Sequence, residues 1–135
     1  MRQDNVEQKS LTIEEPCRHI CIGSVDVTLL PRRPYDISYT PDKSVIGYAF
    51  EHQTGAHSFA TDRRNDFYTR PNSLAYVPAK CDVYSSSDQG GEYLTIKIDK
   101  KLWDSNQYQE RFNDVMSPNA IKAAQNIRSL MISNR

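Results

Sequence analysis

With 135 residues the chain is long enough for one domain with a true hydrophobic core, because a domain of that size buries roughly two thirds of the surface its unfolded chain exposes. Seventeen basic and seventeen acidic residues cancel, and the basic ones come as scattered pairs (Arg32 and Arg33, Arg63 and Arg64, Lys100 and Lys101), so the chain lacks the cationic stripe of a nucleic-acid binder. No apolar run approaches the roughly 18 residues of a membrane span, the polar start Met1 to Ser10 is not a secretory signal, and three cysteines make no disulfide framework; a cytoplasmic protein is expected.

Residues 1–15 carry no hydrophobic period and read as a loosely held arm. From Cys17 to Leu30 β-branched residues dominate, with Gly23 as a bend, which predicts one long bent strand or two short ones. Three prolines between Pro31 and Lys43 limit that segment to edge strand and loop. Ser44 to Glu51 alternates, with Ile46, Tyr48 and Phe50 on one face and Val45, Gly47 and Ala49 on the other, so both faces are expected to be covered. Thr54 and Gly55 read as a hairpin turn and 57–61 as the return strand, followed by a charged turn at 62–65 and a short strand at 66–69.

Pro71 and Pro78 bound a short apolar strand, Leu74 to Val77, since a residue without a backbone donor sits where pairing starts or stops. The Ser85 to Gly91 run, ending in two glycines, is the most flexible turn and leads into a strand whose Leu94, Ile96 and Ile98 oppose Tyr93, Thr95 and Lys97. Seven or eight short strands with turns every 8 to 12 residues predict a barrel or sandwich over residues 16–99. After Asp99 the period changes: Tyr108, Phe112, Val115 and Met116 follow helical spacing, with Leu102 and Trp103 ahead of them, and predict a first helix. Ser117 as N-cap and Pro118 as first helical residue begin a second, with the stripe Ala120, Ala123, Ala124, Ile127, Leu130 and Met131. That stripe packs on its own barrel or pairs with a second subunit through Ala120, Ala124, Ile127, Leu130 and Met131.

Little in the chain carries chemistry. Cys17, His19 and Cys21 alternate and can share a strand face, with His57 or Cys81 as a fourth donor. Same-face neighbours on one strand lie about 7 Å apart, however, so three in a row rarely converge on one tetrahedral ion, and no metal is expected. Nucleophile elbows, phosphate-binding glycine loops and His-Glu-x-x-His motifs are absent, and Asp26, Glu51 and Asp82 have no partner legible in the sequence. Eight tyrosines are the surplus, and those on strands, Tyr48, Tyr76, Tyr84 and Tyr93, can line a cavity as well as pack a core.

From Ser44 to Asp99 the chain resembles the N-terminal cupin-type domain of AraC family transcription regulators. The resemblance rests on Arg70-Pro71-Asn72-Ser73 and Val77-Pro78-Ala79-Lys80, where Asn72 and Lys80 stand in the usual glycine places. It implies a mainly β, cupin-like (jelly-roll) barrel followed by two C-terminal helices in 100–135 that serve the dimer. The implied function is effector sensing: a small organic molecule inside the barrel, touched by Tyr84, Tyr93, Thr95, Tyr48, His57 and Tyr76, controls a C-terminal helix-turn-helix DNA-binding part that is not in this sequence. Metal-binding cupins carry a His-x-His-x₃₋₄-Glu block and a later His, whereas no second His flanks His57 and Asp82, Val83 and Tyr84 follow the proline turn. No cofactor, no catalytic residue and no enzyme are therefore expected, with a small cupin enzyme (an isomerase or a dioxygenase-like protein) or a ligand-free interaction domain as the alternatives.

Overall fold

The computed structural model describes residues 17–99 and 111–133. Among them, in chain order, are β1 (Arg18–Ile22), β2 (Val25–Leu30), β3 (Tyr35–Tyr39), β4 (Ser44–Ala49), β5 (Gln53–Phe59), β6 (Asn65–Thr69), β7 (Ser73–Val77), β8 (Val83–Ser87), β9 (Tyr93–Ile98), β10 (Phe112–Val115) and α1 (Pro118–Ser133). The strands form two antiparallel sheets, one in the order β1-β2-β9-β4-β7-β10 and one in the order β3-β8-β5-β6.

The bend expected at Gly23 is a two-residue hairpin turn. Gly23 has a φ of +62°, and β1 pairs with β2 from Ile22 opposite Val25 to Arg18 opposite Leu29. No such hairpin joins β4 to β5. Thr54 and Gly55 lie inside β5, and the chain crosses to the other sheet, β4 pairing with β7 and β9 while β5 pairs with β6 and β8. Gly55 is required there by crowding: a Cβ would run into the Ser86 carbonyl and lie 2.9 Å from the Phe67 ring. Gly55 therefore marks close approach between strands, where the sequence reads as a turn.

The alternation along β4 has the meaning expected of it. Val25, Val27 and Leu29 of β2, Leu94 and Ile96 of β9, and Tyr48, with Phe50 following β4, present one continuous apolar face, because the registers place Val27 and Ile46 opposite Ile96, and Leu29 and Tyr48 opposite Leu94. Onto this face packs α1 with Ala124 and Met131, both 5% exposed, and Ile121, Ile127 and Ile132 beside them. The other face carries Tyr93, Thr95, Gly47 and Ala49 and looks toward the four-stranded sheet. Leu94, 1% exposed, sits at the centre of the helix-covered core.

Helix α1 begins as its sequence indicates, with the Ser117 side chain accepting from the Ala120 N–H at 3.4 Å and the Ser117 carbonyl from the Ile121 N–H at 2.9 Å. The helix expected before it is not found among the described residues. Leu102, Trp103 and Tyr108 lie outside them, and Phe112–Val115 forms β10, pairing antiparallel with β7. Backbone groups along the edge of β7 decide this, since pairing with them satisfies donors and acceptors that an i, i+4 apolar period alone leaves out of account. Arg70 locks the register, donating from Nε to the Asp114 carboxylate and from its terminal nitrogen to the Asp114 carbonyl, both at 2.9 Å. Asp114, with a φ of +61°, sits where the register shifts.

Asn72 and Lys80 take φ values of +66° and +73°, the left-handed conformation that glycine adopts most readily. The residues 1–15 expected to form an arm lie outside the described ones.

Candidate functional site

The space between the sheets is built from strand faces of alternate residues. On the four-stranded sheet the registers bring Tyr35, Ile37 and Tyr39 of β3 opposite Ser87, Ser85 and Val83 of β8, with His57 and Phe59 beyond them on β5. On the six-stranded sheet the facing residues are Tyr93 and Thr95, with small Gly47, Ala49 and Ala75 beside them. Small residues leave room over the sheet, and one ring takes it. A Cβ on Gly47 would lie 2.6 and 2.7 Å from carbons of the Tyr93 ring and closer still to its hydroxyl.

Three tyrosines meet here. Burial pushes the Tyr93 hydroxyl well above the ordinary tyrosine value, with the Tyr39 and Tyr35 hydroxyls adding to the shift. Burial also raises Tyr35 and Tyr39, so all three are neutral phenols at physiological pH, able to donate and to accept. The Tyr35 hydroxyl donates to the side-chain Oε1 of Gln53 at 2.8 Å and lies 3.3 Å from the Ser85 hydroxyl. Gln53, 6% exposed, in turn donates to the Gly91 carbonyl at 3.3 Å. Ile37 and Tyr39 stay 45% and 41% exposed, so the interior opens to solvent along β3.

A second cluster surrounds His57. Its ring stacks on Phe67 with centroids 4.6 Å apart and meets the edge of Phe59 at 4.7 Å, while the Arg111 guanidinium sits 3.9 Å over the Phe59 ring. Burial, helped by the Arg111 charge, holds the His57 imidazole below its ordinary pKa, so it is neutral near pH 7.

Of the six residues expected to touch a ligand, Tyr93, Thr95 and His57 lie on the inward faces. Tyr48 and Tyr76 lie on the opposite face of the six-stranded sheet: Tyr48 is in the core under α1, its hydroxyl donating to Asn72 Oδ1 at 2.7 Å, and the Tyr76 hydroxyl is 3.2 Å from that of Ser44. Tyr84 is turned outward, one residue out of phase with Val83 and Ser85. Its ring carries the Arg64 guanidinium at 3.7 Å and its hydroxyl reaches Asp36 at 3.5 Å, in a shallow groove of about 570 Å³ with Ser38, Thr40, Ser58 and Asp62. A one-residue shift of phase along a strand reverses every side chain, so proximity in sequence to the proline turn did not decide which tyrosine points inward. Tyr35, Tyr39, Gln53 and Ser85 were missed. For Tyr35 and Tyr39 the signal is the Tyr35-Ile37-Tyr39 alternation, in a segment whose prolines read as loop.

Of the helix residues expected at a dimer interface, Ala124 and Met131 are buried against their own barrel, Ile127 packs with them, Ala120 is half-buried and Leu130 stands 68% exposed.

No family model matches the chain, and no curated protein sequence does either. Solved structures do. A protein from Neisseria meningitidis superposes with a TM-score of 0.50 at 17% identity, over 66% of this chain and 89% of that one. A mutant of Bacillus subtilis oxalate decarboxylase gives a TM-score of 0.50 at 13% identity, over 91% of this chain and 36% of the enzyme. A cupin superfamily protein from Desulfitobacterium hafniense aligns at 0.48 and 12% identity, over 67% and 84%. The two-sheet antiparallel β fold is shared with the first two of these structures. The expectation that the domain is not an enzyme is corrected by this comparison, because the structures sharing the barrel include an enzyme, and a barrel read as a sensor from one sequence block is equally the frame of a catalyst.

The inward faces carry one imidazole among the described residues. It is His57, flanked by phenyl rings and a guanidinium. Among the described residues, the His, Cys, Asp and Glu side chains with three donor atoms in mutual reach are His19, Cys21 and Asp26, at the free edge of the six-stranded sheet.

Proposed function

We propose that this chain is a ligand-binding cupin domain that takes a small polar organic molecule between its sheets and passes the binding event to α1, as in the effector-sensing part of an AraC-type regulator. The observation that carries the reading is a continuous path from the interior to the helix. Tyr35 holds Gln53, and Gln53 holds the Gly91 carbonyl. The next residue, Glu92, accepts from Arg128 of α1 at 2.9 Å, while its backbone N–H donates to Glu51 at 2.8 Å. Arg32 clamps Glu51, and Arg128 also lies 5.7 Å over the Phe50 ring.

A ligand hydroxyl or carboxylate that replaces Gln53 as the partner of Tyr35 frees the Gln53 amide and alters the hold on the 90–92 turn. Such a device acts by differential contacts in two states, which is what an effector requires. The homodimer expected of such a domain uses the outer stripe of α1 around Leu130, since the inner stripe is already covered.

Thermal denaturation against sugars, aromatic acids, fatty acids and metal ions tests the reading. A ligand that binds only the folded form at about 100 times its dissociation constant adds roughly 2.7 kcal/mol. The shift is expected to be lost in Tyr35→Phe and Gln53→Ala and kept in Tyr84→Ala, whose ring lies outside the barrel. A shift lost only in Tyr84→Ala sinks the interior site, and conversion of the bound compound during the screen moves the reading to an enzyme with His57 in its chamber.

A further inference from the structure

The hairpin β1–β2 places a thiol, an imidazole and a carboxylate at one point. Cys21 and Asp26 are directly paired across the hairpin, and His19 lies two residues before Cys21 on the same face. The Cys21 thiol donates to Asp26 Oδ1 at 2.8 Å, His19 Nε2 is 3.5 Å from that oxygen, and Sγ and Nε2 are 4.0 Å apart. One ligand atom of each lies within 4.8 Å of the other two.

We propose that His19, Cys21 and Asp26 bind one zinc ion at the free edge of the six-stranded sheet. Zinc bonds of about 2.3 Å to sulfur and about 2.0–2.2 Å to nitrogen and oxygen put tetrahedral edges at roughly 3.3–3.6 Å. The observed separations bracket that range, so shifts below an ångström at side-chain torsions close the site. Nitrogen, sulfur and oxygen donors together select zinc over magnesium or calcium, which take oxygen alone.

The surroundings suit the role. Lys43 Nζ lies 3.8 Å from Oδ2 of Asp26, the oxygen turned away from the thiol, and so orients the carboxylate while cancelling part of the site's negative charge. That charge makes the affinity moderate. His19 and Cys21 are exposed, which gives the ion an open entry, and three protein ligands leave a fourth position for water or an external ligand. Cys17 is engaged elsewhere, its sulfur 3.8 Å from the Arg33 guanidinium, so the alternating Cys17-His19-Cys21 set is not the donor set. The cross-strand carboxylate replaces Cys17, because a directly opposed partner on the next strand is nearer than a same-face neighbour two residues along.

Titration of the reduced full chain with zinc against a chromophoric chelator tests the site, with cobalt as the spectroscopic probe of thiolate ligation. One ion per chain is expected, with about one proton released as the Cys21 thiol ionises. Cys21→Ser, His19→Ala and Asp26→Asn should each weaken binding at least about tenfold. Cys21→Ser should also remove the thiolate-to-cobalt absorption, whereas Cys17→Ser and Cys81→Ser leave both unchanged. Metal-free melting curves of the variants, whose changed side chains lie at an exposed edge, should match the parent and so exclude unfolding as the cause. Absence of stoichiometric zinc binding, or binding equally tight in His19→Ala and Asp26→Asn, overturns the proposal; either outcome leaves the interior ligand site untouched.

Discussion

The Tyr93 ring lies over Gly47, and their coupling is measurable. In Gly47→Ala the new methyl would lie 2.6 and 2.7 Å from two ring carbons of Tyr93, against an ordinary contact of about 3.5–4.0 Å, so the ring must move by about an ångström. The Gly47 backbone stays in its ladder with Thr95 and Ala75, so the ring is the part that gives. Overpacking of this kind costs about 1–3 kcal/mol, while exchange of glycine for alanine in a strand returns about 0.5–1 kcal/mol of chain entropy. Gly47→Ala alone should therefore destabilise by about 0.5–2 kcal/mol. With the ring removed in Tyr93→Val the clash disappears, and adding Gly47→Ala to that background should stabilise by about 0.5–1 kcal/mol. The coupling energy of the cycle is then the strain itself, about 1–3 kcal/mol, read from urea unfolding of the four proteins at constant m. Equal effects of Gly47→Ala with and without the ring would refute the placement of Tyr93 over Gly47, and with it the three-tyrosine interior.

The two left-handed positions of the proline-bounded turns should respond oppositely to glycine. Lys80→Gly relieves a left-handed φ that costs an L-residue about 1–2 kcal/mol, against about 0.5–1 kcal/mol of added freedom in the unfolded chain, so a net gain of about 0.5–1 kcal/mol is expected in the melting midpoint. Asn72→Gly relieves less and deprives the Tyr48 hydroxyl of its acceptor, so denaturant titration should show a loss of about 1 kcal/mol. Glu51 is held down at about 2 by Arg32 and by the Glu92 N–H, so its contribution to stability is full above about pH 4.5 and is lost as pH falls toward 2. Glu51→Gln should flatten the stability profile in that window and leave its shape above pH 5 unchanged. Leu94→Ala, at the centre of the core under α1, should cost about 2–5 kcal/mol in equilibrium unfolding.

Local chemistry determined much of this fold from the sequence. Period-two alternation at 44–49 and 93–98 specified strands, the first with both faces covered, Ser117 and Pro118 specified where α1 begins, and Pro71 and Pro78 bounded β7, because each of these depends on a residue and its near neighbours. What the chain does across space was not legible. Thr54 and Gly55 carry turn residues yet lie in mid-strand, since the reason for Gly55 is a carbonyl on β8. Phe112 to Val115 follow a helical period yet pair with β7, whose free edge offered the better set of hydrogen bonds. The inward or outward phase of Tyr84 and Tyr35, and the meeting of His19, Cys21 and Asp26, depend on register between strands. Sequence determines which residues can form a strand; only the pairing decides which of its faces, and which partner from another strand, a side chain meets, because one residue of slip reverses them all.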